Sequence, residues 1–204
     1  MPIISGGGGS GGSGGLKATY RKVTAKQVLN TVTETDLLNG EITIGANLFG
    51  TSGIATISLW GDWIQNTGST ALLPTFKLKL GATTLLQWQT STFNVATSAV
   101  RYSWSFSAII AAANATNAQT ATLSGYITSL CTAGTANQDT LPTTGEGVTT
   151  AVLGANAHSM VQVNAYNSAS VDTTAATALV FSTTNATATA TYDVTLRGAL
   201  VELV

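Results

Sequence analysis

Arg101-Tyr102-Ser103-Trp104-Ser105-Phe106-Ser107-Ala108-Ile109-Ile110 sets large apolar residues against serine at alternate positions. Successive side chains of a β-strand point to opposite faces, so Tyr102, Trp104, Phe106 and Ala108 predict a buried face and the three serines a wet one. The same period extends in both directions. Upstream, residues 54–64 place Ile57, Leu59 and Trp63 opposite Ser58 and Asp62, and residues 76–80 place Phe76, Leu78 and Leu80 opposite Lys77 and Lys79. A short turn at Gly81-Ala82 leads into a returning strand over 84–89, and Asn66-Thr67-Gly68-Ser69 carries turn chemistry.

Downstream, residues 119–130 set Ala121, Leu123, Gly125 and Ile127 against Thr120, Thr122, Ser124 and Thr128. Residues 132–147 hold Gly134, Pro142, Gly145 and Gly147 and predict a long exposed loop. Segments 160–166, 178–182 and 189–203 complete an expected eight to ten strands, with no amphipathic helix. In the last segment Tyr192, Val194 and Leu196 share a face until Gly198, after which Leu200 and Val204 oppose Val201 and Leu203. A tail that is apolar on both faces predicts a central strand or one at a subunit interface. The whole pattern predicts an all-β protein, an antiparallel β-sandwich. Long connections and the absence of a Cys, Trp, Cys spacing favour a jelly-roll-like arrangement over an immunoglobulin one.

Composition supports strands over helices. Of 204 residues only 8 are Lys or Arg and 9 are Asp or Glu, whereas 36 are Thr and 17 are Ser. Thr is β-branched and stiff at χ1, which suits a pleated sheet. No apolar run has the roughly 18 residues of a membrane-spanning helix, and the amino terminus lacks the apolar stretch of a signal peptide, so a soluble, non-secreted product is expected.

Charge is unevenly placed. Lys17, Arg21, Lys22 and Lys26 give residues 1–26 a side-chain charge of +4 with no acid; the remaining 4 basic and 9 acidic residues leave the body at −5. Residues 6–15 read GGGGSGGSGG, a tract with nothing to bury that is a coil when alone. It reads as a linker or as an arm laid on a partner, and the arm is the preferred reading. Two regions follow: an extended N-terminal arm over 1–26 and a sandwich over 27–204. The expected anchoring residues are Gly6, Gly7, Gly8, Gly9, Lys17, Arg21, Lys22 and Lys26, where glycine permits close backbone approach and the cations pair with acidic groups.

Catalytic and metal chemistry has little to work with. His158 is the one imidazole and Cys131 the one thiol, which excludes a disulfide framework and a zinc site of Cys and His ligands. A Ser/His/Asp triad would depend on His158, and no GxSxG accompanies any serine. Asp62, between Trp60-Gly61 and Trp63, is the one acid in an aromatic neighbourhood, and it reads better as a hydrogen-bond acceptor across strands than as a catalytic acid. Asn137, Asp139 and Glu146 are too sparse for a calcium loop. Four basic residues without interleaved aromatic platforms make a small footprint for nucleic acid. The expectation is therefore a protein that is not an enzyme and needs no metal or cofactor. Trp63 and Trp104 fall on buried parity, which leaves Trp60 and Trp88 as the aromatic candidates for a ligand or an interface.

The segment Leu59-Trp60-Gly61-Asp62-Trp63-Ile64-Gln65-Asn66-Thr67-Gly68, followed by Phe76-Lys77-Leu78-Lys79-Leu80-Gly81-Ala82-Thr83-Thr84-Leu85, resembles a family of tailed-bacteriophage virion proteins. In that family a strand ending in Gly-Asp-aromatic, an Asn-x-Gly turn and a strand ending in Lys-x-Gly-x-Thr-x-Leu form a recurring unit. Residues 30–38 and 195–203 resemble its entry and closing strands. The family spans head fibres, capsid decoration proteins and tail components. The resemblance implies a trimeric, jelly-roll-like part of the virion: a decoration or cement protein on the outer surface of the capsid, with the major capsid protein and its own copies as partners and with no membrane or direct nucleic-acid contact. The alternative it leaves open is a head-fibre or tail-tip module that binds a host-surface glycan.

Overall fold

A computed structural model describes residues 15–65, 74–89, 101–130, 148–151, 158–188 and 192–204. The turn at 66–69, the loop at 132–147, Cys131 and Gly6, Gly7, Gly8 and Gly9 lie outside the described residues. Within them the chain is all β: β1 (Ala18–Lys22), β2 (Lys26–Leu29), β3 (Thr35–Asp36), β4 (Thr43–Ile44), β5 (Ile54–Gln65), β6 (Thr75–Leu80), β7 (Thr83–Gln89), β8 (Tyr102–Ala112), β9 (Gln119–Leu130), β10 (Val148–Ala151), β11 (His158–Ala169), β12 (Thr177–Thr184) and β13 (Tyr192–Leu203). The strands beyond the expected number are mostly short edge pieces between residues 18 and 44, too brief to show a period.

All pairings are antiparallel and fall into two sheets. The large sheet runs β1-β13-β5-β8-β9-β11-β10, with β2 also on β13; the small one runs β3-β12-β6-β7, with β4 also on β12. Each sheet thus has an edge strand broken in two. β1 pairs with the C-terminal half of β13 and β2 with its N-terminal half, while β3 and β4 divide β12 in the same way.

Alternation places the core as the sequence predicts. Ile57, Leu59 and Trp63 of β5, Trp104, Phe106 and Ala108 of β8, and Leu123 and Ile127 of β9 are buried from the large sheet, facing Phe76, Leu78 and Leu80 of β6 and Leu179 and Phe181 of β12. Phe76, Trp88, Trp104, Phe106 and Phe181 meet at the centre, with Phe76 stacked on Phe181 at 5.7 Å between ring centroids and Trp88 edge-on to Phe106 at 5.0 Å. Such pairs contribute about 0.5–1.5 kcal/mol each beyond the area they bury.

Two sequence expectations change, and a third resolves. Trp88, expected at the surface or an interface, is wholly buried. The register of β6 on β7 shifts after Leu78, so Leu85 and Leu86 are both buried and the inward parity of β7 passes to Leu86 and Trp88. A bulge of this kind flips every later side chain to the other face. The same effect explains the closing strand. β13 is central in its sheet, between β1–β2 and β5, and a register shift between Leu196 and Gly198 carries the buried face from Tyr192, Val194 and Leu196 to Ala199, Val201 and Leu203. Finally, the boundary expected at residue 26 does not coincide with the rim of the sandwich. β1 lies wholly within residues 1–26 and is hydrogen-bonded to β13.

Candidate functional site

The basic residues of the N-terminal segment separate by strand parity. Tyr20 and Lys22 lie opposite Val201 and Ala199, so both point towards the core. Lys22 is 1% exposed and forms an ion pair with Glu41, stitching β1 to the segment between β3 and β4. It is a structural lysine and is not available as an anchor. Lys17 is pinned at the rim, its Nζ donating to the Leu48 carbonyl at 3.3 Å and its backbone N–H to that of Leu203 at 2.6 Å. Arg21 faces outward and is exposed, and Lys26 is half-buried opposite Leu196. Neither has an ion-pair partner among the described residues. The edge of the large sheet therefore offers Arg21 and Lys26 beside the exposed apolar side chains of Leu16, Val23 and Leu29.

On the outer face of the same sheet, charges gather where β2, β13, β5 and β8 run side by side. Arg101, just ahead of β8, bonds Asp62 of β5 and Asp193 of β13 and reaches the Thr195 hydroxyl at 2.9 Å. Arg197, in the β13 bulge, bonds the other side of Asp62. Gln27 of β2 donates to Asp193 at 2.9 Å. Burial alone would raise the Asp193 pKa, but the bonds from Arg101 and Gln27 outweigh it and hold the carboxyl below its usual value. The bond to Asp193 raises Arg101 in turn, against the effect of burial. Asp62 accepts hydrogen bonds across strands, in keeping with its sequence reading. Its partners Arg101 and Arg197 are not legible in the sequence, nor is the share of Asp193 and Gln27 in the same cluster, although all four are polar in a chain poor in charge.

Gly61 and Gly198 shape this corner by close approach. A Cβ on Gly61 would overlap the Thr195 carbonyl and the Trp104 ring, whose Nε1 donates to the Asp62 carbonyl at 3.2 Å. A Cβ on Gly198 would overlap the Trp60 indole, which lies across it with 44% of the residue exposed. Trp60 is thus a surface aromatic, as expected.

Beyond Trp60 the outer face is built in rows. One row crosses Trp60, Ser105, Tyr126 and Gln162; the next Ser58, Ser107, Ser124 and Asn164; the third Thr56, Ile109, Thr122 and Tyr166. An open depression of about 410 Å³ is lined by the middle and third rows, from Ser107 and Ile109 to Asn164 and Tyr166. Ile109, Tyr126 and Tyr166 are 45%, 38% and 52% exposed. His158 opens β11 in register with Leu130, far along the strand from this depression.

No protein-family model matches the chain, and no curated protein matches it. Among solved structures, it aligns with a chain of the infectious bursal disease virus Gt strain structure at 13% identity and a TM-score of 0.25, covering 91% of this chain and 39% of that one. The chain therefore spans well under half the length of that viral protein. Similarity at this level carries neither a shared fold nor a function.

Proposed function

We propose that the chain is a non-enzymatic structural protein of a virion, a capsid decoration or cement protein that trimerises on the outer shell. The observation that carries this reading is the N-terminal edge of the large sheet. β1 and β2 hold the segment that follows the Gly-rich tract against β13, so Gly15 is held at a fixed point at the edge of the sandwich, close to Lys17. That geometry supports an anchor held by a rigid body. Association through an arm on each of three copies gains from multivalency, because the second and third contacts are intramolecular. The strand order supports the jelly-roll-like part of the reading. With β1–β2 and β3–β4 each taken as one interrupted strand, the chain crosses from one sheet to the other at every step except the β6–β7 pair and the run from β8 to β11, and β9, β11 and β10 extend the large sheet beyond β8. The local resemblance of residues 59–85 supplies the virion context.

The test is removal of residues 1–14, which leaves β1 intact. The truncated protein is expected to keep the thermal unfolding of the full chain and to lose particle binding in a co-sedimentation assay. Full occupancy of particles by the truncated protein would refute the anchor.

A second reading, a head-fibre or tail-tip module that meets a host-surface glycan, is favoured by the exposure of Trp60. Its test is loss of adsorption to host cells on Trp60→Ala with the fold retained.

A further inference from the structure

We infer that the outer face of the large sheet carries a binding furrow for a neutral saccharide, centred on Ser107, Ser124, Asn164 and Tyr166. This deepens the second reading by placing the ligand site away from Trp60, and it holds wherever on a particle the protein sits.

Charge is the first argument. No Asp, Glu, Lys or Arg occurs in residues 54–60, 105–111, 120–126 or 162–168, the four stretches that form the face. The charged corner at Asp62 lies beyond its margin. A ligand recognised here is read by neutral groups, which disfavours phosphate, nucleic acid and acidic polymers.

Hydrogen-bonding capacity is the second. Towards the charged corner Ser103 and Thr128 are bonded to each other across β8 and β9. By contrast, Ser107, Thr122, Ser124 and Asn164, all lining the depression, make no side-chain hydrogen bond to another described residue. Hydroxyls both donate and accept, and the Asn amide offers two donors and an acceptor, which matches the alternating donor and acceptor pattern of sugar hydroxyls.

Shape is the third. Rows two residues apart lie about 7 Å from each other, and Ser58 to Asn164 spans three inter-strand steps of about 4.8 Å, so the middle row is a strip about 14 Å long. Small side chains form its floor. Tyr126 stands on one flank and Ile109 and Tyr166 on the other, so an apolar sugar face can lie on an aromatic ring while its hydroxyls meet the floor. The 410 Å³ depression falls within the roughly 300–1,000 Å³ of small-ligand sites. A two-fold pairing of copies through this face would set hollow against hollow and leave a void, which favours a ligand over a second copy.

The experiment uses the full chain with short linear glucans, mannans and galactans, and with sialylated and sulphated glycans as the anionic arm. Binding is read by saturation-transfer NMR and calorimetry, and oligomeric state by sedimentation. At least one neutral oligosaccharide is expected to bind, and Tyr166→Ala and Asn164→Ala are each expected to weaken it by roughly tenfold or more with unfolding unchanged. Three results would overturn the furrow: no binding by any neutral glycan, binding confined to the anionic set, or a change of oligomeric state in Tyr166→Ala without an effect on glycan. Binding lost on Trp60→Ala but kept in Tyr166→Ala and Asn164→Ala would also overturn it, while leaving the second reading of Trp60 standing.

Discussion

Replacing Arg101 with Met isolates the contribution of the charged corner. Arg101 joins two carboxylates on separate strands, and its loss leaves Asp193, whose side chain is 7% exposed, with only Gln27 and Thr195. Removing one partner of a fully buried ion pair costs about 3–5 kcal/mol, whereas an exposed pair contributes about 0.2–1 kcal/mol. Arg101 is itself 31% exposed and Asp62 keeps Arg197, so the expected loss at pH 7 lies between these limits, at about 2 kcal/mol. For a chain of this length that lowers Tm by about 4–8 °C. The sign of the pH dependence follows from Asp193. Its folded pKa is depressed, so in the natural protein its stabilisation is present above the unfolded value of about 3.9 and is lost as pH falls through the folded value. In Arg101→Met the opposing effect of burial prevails and the carboxyl is raised, so protonation relieves the variant. The gap between the two proteins should be widest near neutrality and should narrow below about pH 4. Urea unfolding at pH 7 and pH 3 measures it. A gap below about 0.5 kcal/mol at pH 7, or one that does not narrow in acid, would refute the reasoning.

Other consequences are equally open to measurement. Glu34, bonded to Lys77, Lys79 and Ser182, is lowered to about 2, so it stabilises the fold above the unfolded value and loses that contribution as pH falls towards 2; Glu34→Gln should flatten the acid limb of the stability curve over that window. Phe76→Ala, which empties the centre of the aromatic cluster, should cost about 3–5 kcal/mol by denaturant unfolding. Lys22→Met removes a buried cation while leaving Glu41 39% exposed to water, so stability should change by less than about 1 kcal/mol and particle binding should be unaffected; Arg21→Glu, in contrast, should weaken particle binding without a change in Tm.

Parity explains what was legible in the sequence. β6, β8 and β9 alternate without interruption, so their buried residues could be named from period alone. Trp88 could not, because the extra residue that turns it inward belongs to a bulge, and whether Leu85 or Leu86 keeps the period depends on pairing with β6. Lys22 misled for a different reason. In a run with Lys17, Arg21 and Lys26 it reads as one charge of a basic arm, and only the β1 pairing with β13 turns it towards Glu41. Asp62 reads as a cross-strand acceptor from its setting, but Arg101 lies 39 residues after it and Asp193 a further 92 residues on, and no local signal joins them. The furrow was invisible for the same reason, since Ser58, Ser107, Ser124 and Asn164 become neighbours only through the order β5-β8-β9-β11.

The central claim is a structural place on the outer shell of a virion, and copy number tests it most directly. Quantitative mass spectrometry of purified virions, referenced to the major capsid protein, should find this chain in a simple lattice ratio to the shell. A handful of copies per particle would contradict the decoration role and point to a fibre or tail component, and absence from purified particles would contradict a virion role altogether.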